Sequence, residues 1–210
     1  SKITSAKRLA IQMAAKARIL ASTINNAFCL AEEDSKSAEK NKQLQGQLDA
    51  FRKVLINDLT PQGFADIYAQ TVAYGMFAAR LHDNTPDNFS RQEAANLIPK
   101  TNPFLRNIFQ QIAGYDLDER IAWIVDDLIN VFLATDVQKV TKNYSQKGIH
   151  RDPMIHFYED FLKAYNPSLR KLKGVWYTPQ PVVQFIVRAV DEILQRDFEL
   201  SEGLADYSKF

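Results

Sequence analysis

The chain has 210 residues, enough for one sizeable domain or for one domain and the start of another. Apolar residues make up 46%, with 13 Phe and 8 Tyr, which is ample to fill a core and excludes a chain that is disordered apart from its ends. The single Cys29 excludes an internal disulfide and fits a reducing, cytoplasmic setting, and no apolar run approaches the ~18 residues of a membrane span. The net charge of +1 is unevenly spread. Lys2, Lys7, Arg8, Lys16 and Arg18 open the chain with no acid among them, and residues 139–173 carry eight Lys and Arg against Asp152, Glu159 and Asp160. Clustered cations of this kind supply the salt-dependent, sequence-blind part of DNA binding, although Lys and Arg also decorate any solvated helix face.

From Ser5, apolar residues at Leu9, Met13, Ala17, Leu20, Ile24 and Phe28 follow steps of three and four, predicting one amphipathic helix over about residues 3–31. A polar cluster from Glu32 to Ser37 interrupts the pattern, and Leu44, Leu48, Phe51 and Leu55 predict a second helix that completes a hairpin. Further on, a capping residue followed by proline recurs at Thr60-Pro61, Asn102-Pro103, Asp152-Pro153, Asn166-Pro167 and Thr178-Pro179. Each pair places an oxygen acceptor at the N-cap and a residue with no N–H at the first helical position, so each marks a helix start. Ser90 and Glu93 stand at capping-box spacing, and Asp116 with Glu119 opens a helix through Trp123, Leu128 and Phe132. Polar linkers are expected at His82–Phe89 and Asn143–Asp152.

No segment alternates cleanly between turn signals, so the expected fold class is all-α: an irregular multi-helix bundle of about ten helices, with at most a trace of extended structure near 175–177. No fixed-period repeat points to a solenoid. In the segment from Asp152 to Tyr165, Ile155, Tyr158, Leu162 and Tyr165 could form one helix face, with His156 a structural group. His82, His150 and His156 are too dispersed for a metal motif and Cys29 has no partner at ligand spacing, so no metal site and no catalytic residue is expected. Asp34-Ser35-Lys36 only superficially resembles a nuclease carboxylate–lysine set and lacks strand context.

The segment that helix packing explains least is Gly174-Val175-Trp176-Tyr177-Thr178-Pro179, followed by Pro181-Val182-Val183 and Arg188. By spacing alone it is an extended approach to a capped helix start. It also resembles motif X of the adenine-N6 DNA methyltransferases in single-polypeptide and type I restriction-modification enzymes. Asp152 to Tyr165 resembles the stretch just before that motif. Gly63 to Gly75 and Asn102 to Arg106 resemble the helical connector of the single-polypeptide members. The resemblance covers nearly the whole chain but is weak before about residue 50.

In that family the motif lines the pocket for the methionine end of S-adenosylmethionine. The resemblance therefore implies that Trp176, Tyr177, Thr178 and Pro179 border the cofactor in the complete enzyme. Trp176 stands where related sequences more often carry tyrosine, and it keeps a flat apolar surface. The family's glycine-rich cofactor turn and its Asn-Pro-Pro-aromatic motif for the flipped adenine do not occur here. The chain alone is thus expected to bind no cofactor and to catalyse nothing, stopping near Leu204-Ala205-Asp206, about where related sequences approach the first strand. The implied organisation is a lead-in hairpin over 1–58, a connector over 59–147 and the first methyltransferase helices over 148–210. Implied partners are DNA and the nuclease or motor and methyltransferase domains of the same polypeptide, with Lys142, Lys147, Arg170 and Lys171 as candidate DNA-backbone contacts and no membrane. The other reading is a self-contained helical adaptor for a protein or a nucleic-acid backbone that shares only the capped-helix pattern.

Overall fold

A proline that lacks an N–H is best placed where no helical acceptor is waiting, and the computed structural model starts its helices accordingly. It describes residues 2–29, 35–83, 85, 88–98, 103–114, 117–145, 153–168, 178 and 180–206. Among them are nine α-helices: α1 (Ala6–Cys29), α2 (Ser35–Val54), α3 (Pro61–His82), α4 (Arg91–Leu97), α5 (Pro103–Ala113), α6 (Glu119–Leu133), α7 (Val137–Ser145), α8 (Pro153–Tyr165) and α9 (Gln180–Asp197). A 3-10 turn follows at Gly203–Ala205. No strand occurs among the described residues, and the fold is all-α as the sequence implies. The extended piece expected at 175–177 lies outside the described residues.

Several boundaries follow the expected chemistry. Thr60 caps α3 by accepting from the Gly63 N–H at 3.1 Å, with Pro61 at the first helical position. Helices α5 and α8 begin at Pro103 and Pro153. Ser90 accepts from the Glu93 N–H at 3.2 Å, but the Glu93 carboxylate takes the Thr85 hydroxyl at 2.5 Å, so the cap serves the preceding loop. Helix α6 is capped by Asp118, which lies directly before Glu119 and accepts from the Arg120 N–H at 2.9 Å; Asp116, expected to open this helix, lies outside the described residues. The first helix starts at Ala6, later than periodicity suggests, because Ser5 precedes it and Ile3 is drawn into a parallel bridge with Thr135. Helix α2 ends at Val54, which leaves Leu55 57% exposed instead of on its apolar face. The polar stretch expected from Asn143 begins inside α7, which runs to Ser145.

The chain forms two compact units, Ser1–Pro167 and Ser168–Phe210. In the first, α1 is the central helix, packed by α3, α6 and α8. Its buried stripe mixes Leu9, Met13, Leu20 and Ile24 with Ala10, Ala14, Ala17 and Ala21. The alanines let neighbours approach closely, and the larger residues fill the spaces between them. Helix α3 answers with Phe64, Tyr68, Val72, Met76 and Phe77, and α6 with Ile124, Val125, Leu128 and Phe132. Each fully buried large side chain contributes about 1.5–3 kcal/mol of transfer free energy, so this interface is the main source of stability.

Helix α8, part of the segment the sequence assigns to 148–210, packs against α1 in this first unit. Its buried face consists of Phe157, Phe161 and Tyr165. Ile155, expected on that face, is 37% exposed, because the α8 register turns the aromatic residues toward Tyr74 and Phe77. The second unit consists of α9 and the turn that follows. Glu199 and Gly203 have φ values of 57° and 55°, and the chain reverses there so that the Leu204 N–H donates to Asp191 Oδ1 at 2.8 Å. A Cβ at Gly203 would meet that same oxygen at 2.1 Å, so a larger residue would have to adopt a φ that favours glycine and also displace the Asp191 side chain that holds the turn.

Candidate functional site

Of the residues proposed to border the cofactor, Thr178 is described; Trp176, Tyr177 and Pro179 lie outside the described residues. Thr178 is exposed and non-helical, two residues before α9 begins at Gln180. The first turn of a helix has N–H groups with no intrahelical acceptor, but Pro181 contributes none, leaving Gln180 and Val182. An exposed hydroxyl beside a turn with few donors suits a modest anchoring contact better than an anion nest.

Helix α9 has an unusual surface. Val182, Val183, Ile186, Val187, Val190 and Ile193 are all exposed and fall along one stripe. Phe185, 73% exposed, falls outside that stripe among polar neighbours. The helical spacing of Val182, Val183, Ile186, Val187 and Val190 is a periodic signal in the sequence, whereas a lone off-stripe aromatic such as Phe185 carries none.

The segment just before the motif is anchored by hydrogen bonds as well as by packing. The Tyr165 hydroxyl donates to Asp66 Oδ1 at 2.6 Å, the Tyr144 hydroxyl to Asp160 Oδ2 at 2.5 Å, and the Tyr74 hydroxyl to the Met154 carbonyl. Burial, reinforced by the adjacent carboxylates, pushes the Tyr144 and Tyr165 hydroxyls well above the ordinary phenol range, so both remain donors. Arg18 donates to the Ala164 and Tyr165 carbonyls at 2.6 and 3.2 Å, satisfying the C-terminal end of α8. His156 is part of this structural cluster: it stacks on Tyr144 at 6.3 Å between ring centroids, and its Nδ1 lies 4.0 Å from Glu159.

The candidate DNA contacts divide similarly. Lys142 is exposed on α7, while Lys147, Arg170 and Lys171 lie outside the described residues. At the other basic end, Lys16 pairs with Asp127 at 2.5 Å, and Arg18 is committed to α8. Lys2, Lys7 and Arg8 are exposed. A cleft of about 220 Å³ between α2, α3 and α6 is lined in part by Tyr68, Gln47 and Leu44, and burial raises the Tyr68 hydroxyl above the usual phenol range. Among the described residues no group of three His, Cys, Asp or Glu is placed to hold a metal ion, and no helix is long and apolar enough to cross a membrane.

The anchored helix α8 and the stripe-bearing α9 are the two described helices of the stretch that matches a known family: residues 149–199 fit the N-6 DNA Methylase family. This stretch is an adenine-N6 methyltransferase-related region. The chain is also 27% identical, over 115 residues or 53% of its length, to the type I restriction enzyme HindI methylase subunit of Haemophilus influenzae (strain ATCC 51907 / DSM 11121 / KW20 / Rd). It spans about a quarter of that curated relative, 25% of its length. No solved structure matches.

Proposed function

We propose that this chain is the helical connector and the cofactor-edge segment of a restriction-modification enzyme that methylates adenine N6 in DNA. The observation that carries the reading is the family match over 149–199, which spans α8, the Trp176-Tyr177-Thr178-Pro179 sequence and α9. The exposed apolar stripe of α9 supports it, because such a face suits a helix that packs on further parts of a methyltransferase fold. In this reading the body built on α1, α3 and α6 is a rigid spacer between nuclease or motor modules and the methyltransferase, all carried on one cytoplasmic polypeptide.

S-adenosylmethionine would supply the methyl group when bound. Trp176 and Tyr177 would provide apolar and phenolic surface beside its methionine end, Thr178 a hydroxyl for its polar groups, and Pro179 the fixed turn that holds these side chains in place. The chain by itself would bind the cofactor too weakly to detect. One or two hydrogen bonds at about 1 kcal/mol each do not offset an association cost of at least ~4 kcal/mol. The test is methyl transfer by the complete polypeptide: incubation with DNA and S-adenosylmethionine should yield N6-methyladenine on digestion and mass spectrometry. Absence of that base, with the protein folded and DNA bound, would overturn the reading.

A further inference from the structure

The two basic ends of the sequence are about 130 residues apart, yet the fold joins them at one corner. The Ile3 N–H donates to the Ala134 carbonyl at 2.7 Å and the Asp136 N–H donates to the Ile3 carbonyl at 2.9 Å, which holds the N-terminal strand-like arm against the α6–α7 turn. Asp136 then opens α7, accepting from the Lys139 N–H at 3.1 Å and pairing with the Lys139 ammonium at 3.3 Å. Its carboxyl is held below the ordinary carboxylate range, first by the Lys139 N–H bond, then by the Lys139 ammonium, with a smaller contribution from Lys2.

Within the described residues of 2–29 and 134–145 the exposed charged side chains are all cations. Lys2 lies on the arm, Lys7 and Arg8 on the first turn of α1, and Lys139 and Lys142 one turn apart on α7, which itself packs against α1. Asp136 is the one acid in the described residues of 2–29 and 134–145. Cations drawn from three elements and set by a backbone bridge form a surface whose charge density suits a polyanion with regularly spaced phosphates.

We infer that Lys2, Lys7, Arg8, Lys139 and Lys142 form one composite surface for the phosphate backbone of duplex DNA, organised by the Ile3–Thr135 bridge. The inference rests on the DNA-modifying reading and adds the surface, giving the N-terminal arm a role equal to that of α7. No base-reading motif accompanies these cations, so binding at this surface is sequence-independent.

The test is fluorescence anisotropy of this chain with a labelled duplex of arbitrary sequence across a salt series. Each phosphate contact adds roughly 0.9 to the slope of log K against log salt. Neutralising α7 (Lys139→Gln with Lys142→Gln) should lower the slope by about 2, and neutralising the arm (Lys2→Gln, Lys7→Gln and Arg8→Gln) by about 2 to 3. Lys42→Gln with Lys53→Gln on α2 should leave it unchanged, and circular dichroism should show unchanged helicity in every variant.

If the arm variant binds like the parent while the α7 variant is weakened, the composite surface is wrong. If the α2 variant loses as much, the effect is general charge and the inference also fails. Binding to phosphatidylserine vesicles without binding to duplex would likewise overturn it. None of these outcomes touches the methyltransferase reading, which stands or falls on N6-methyladenine formation.

Discussion

Replacing Phe161 on α8 tests how firmly the methyltransferase-related region is built into the helical body. Phe161 is fully buried, with Tyr74, Tyr158 and Tyr165 rings at centroid distances of 6.1, 6.4 and 5.8 Å. Phe161→Ala removes a complete ring from a site ringed by rigid aromatics that cannot collapse to fill it, so the upper part of the usual range applies, about 4 kcal/mol. Tyr165→Phe keeps the ring and deletes only the 2.6 Å hydrogen bond to Asp66, which retains a contact from Gln62 Nε2 at 3.2 Å. Loss of a bond to a charged partner predicts about 1.5–2 kcal/mol. Urea unfolding followed by circular dichroism should therefore rank Phe161→Ala well below Tyr165→Phe, with both below the parent. Amide exchange should show α8 opening earlier in the same order. Equal stabilities, or a larger loss for Tyr165→Phe than for Phe161→Ala, would show that α8 is not held by this aromatic packing.

Thr60→Ala removes the acceptor that caps α3 and should cost about 1 kcal/mol, read as a fall of roughly 2–4 °C in Tm. Asp83 carries an acid-sensitive contribution. Its side chain is 1% exposed, and although burial pushes the carboxyl up, hydrogen bonds from Thr85 and Arg80 outweigh it and leave the value below the ordinary range. A depressed carboxylate stabilises fully above its unfolded value of about 3.9 and loses that contribution as pH falls through the folded value. Asp83→Asn should thus lower stability at pH 7 and flatten the decline below about pH 4, measured as Tm against pH. Gly203→Ala places a Cβ 2.1 Å from Asp191 Oδ1 at a φ of 55° and should release the turn after α9. Faster exchange of the Leu204 amide would report it.

The helix starts were legible because a cap followed by proline is local chemistry: Thr60-Pro61 specifies its acceptor and its missing donor within two residues. The α6 start was less legible: in sequence it reads as opening at Asp116 with Glu119, whereas the cap is Asp118, which also pairs with the Arg120 guanidinium. Periodicity placed Ile155 on a buried face because it counts spacing, whereas the packed position of α8 is set by Tyr74 and Phe77 on another helix. The roles of the basic residues were not legible at all. Lys16 and Arg18 are absorbed by Asp127 and the end of α8, long-range pairings that composition does not encode, whereas Lys139 pairs locally with Asp136 three residues before it. For the cofactor edge, spacing gave only a capped helix start at Thr178. The resemblance supplied the rest, and the family match over 149–199 agrees with its adenine-N6 methyltransferase class.

The most direct test of the proposed cofactor edge is the affinity of the complete polypeptide for S-adenosylmethionine, measured by titration calorimetry before and after Tyr177→Ala. Loss of one aromatic wall contact and one hydrogen bond predicts about tenfold weaker binding, equivalent to ~1.4 kcal/mol, with helicity unchanged by circular dichroism. Unchanged affinity in the folded variant would contradict the account and leave Tyr177 as an aromatic residue that merely precedes a helix.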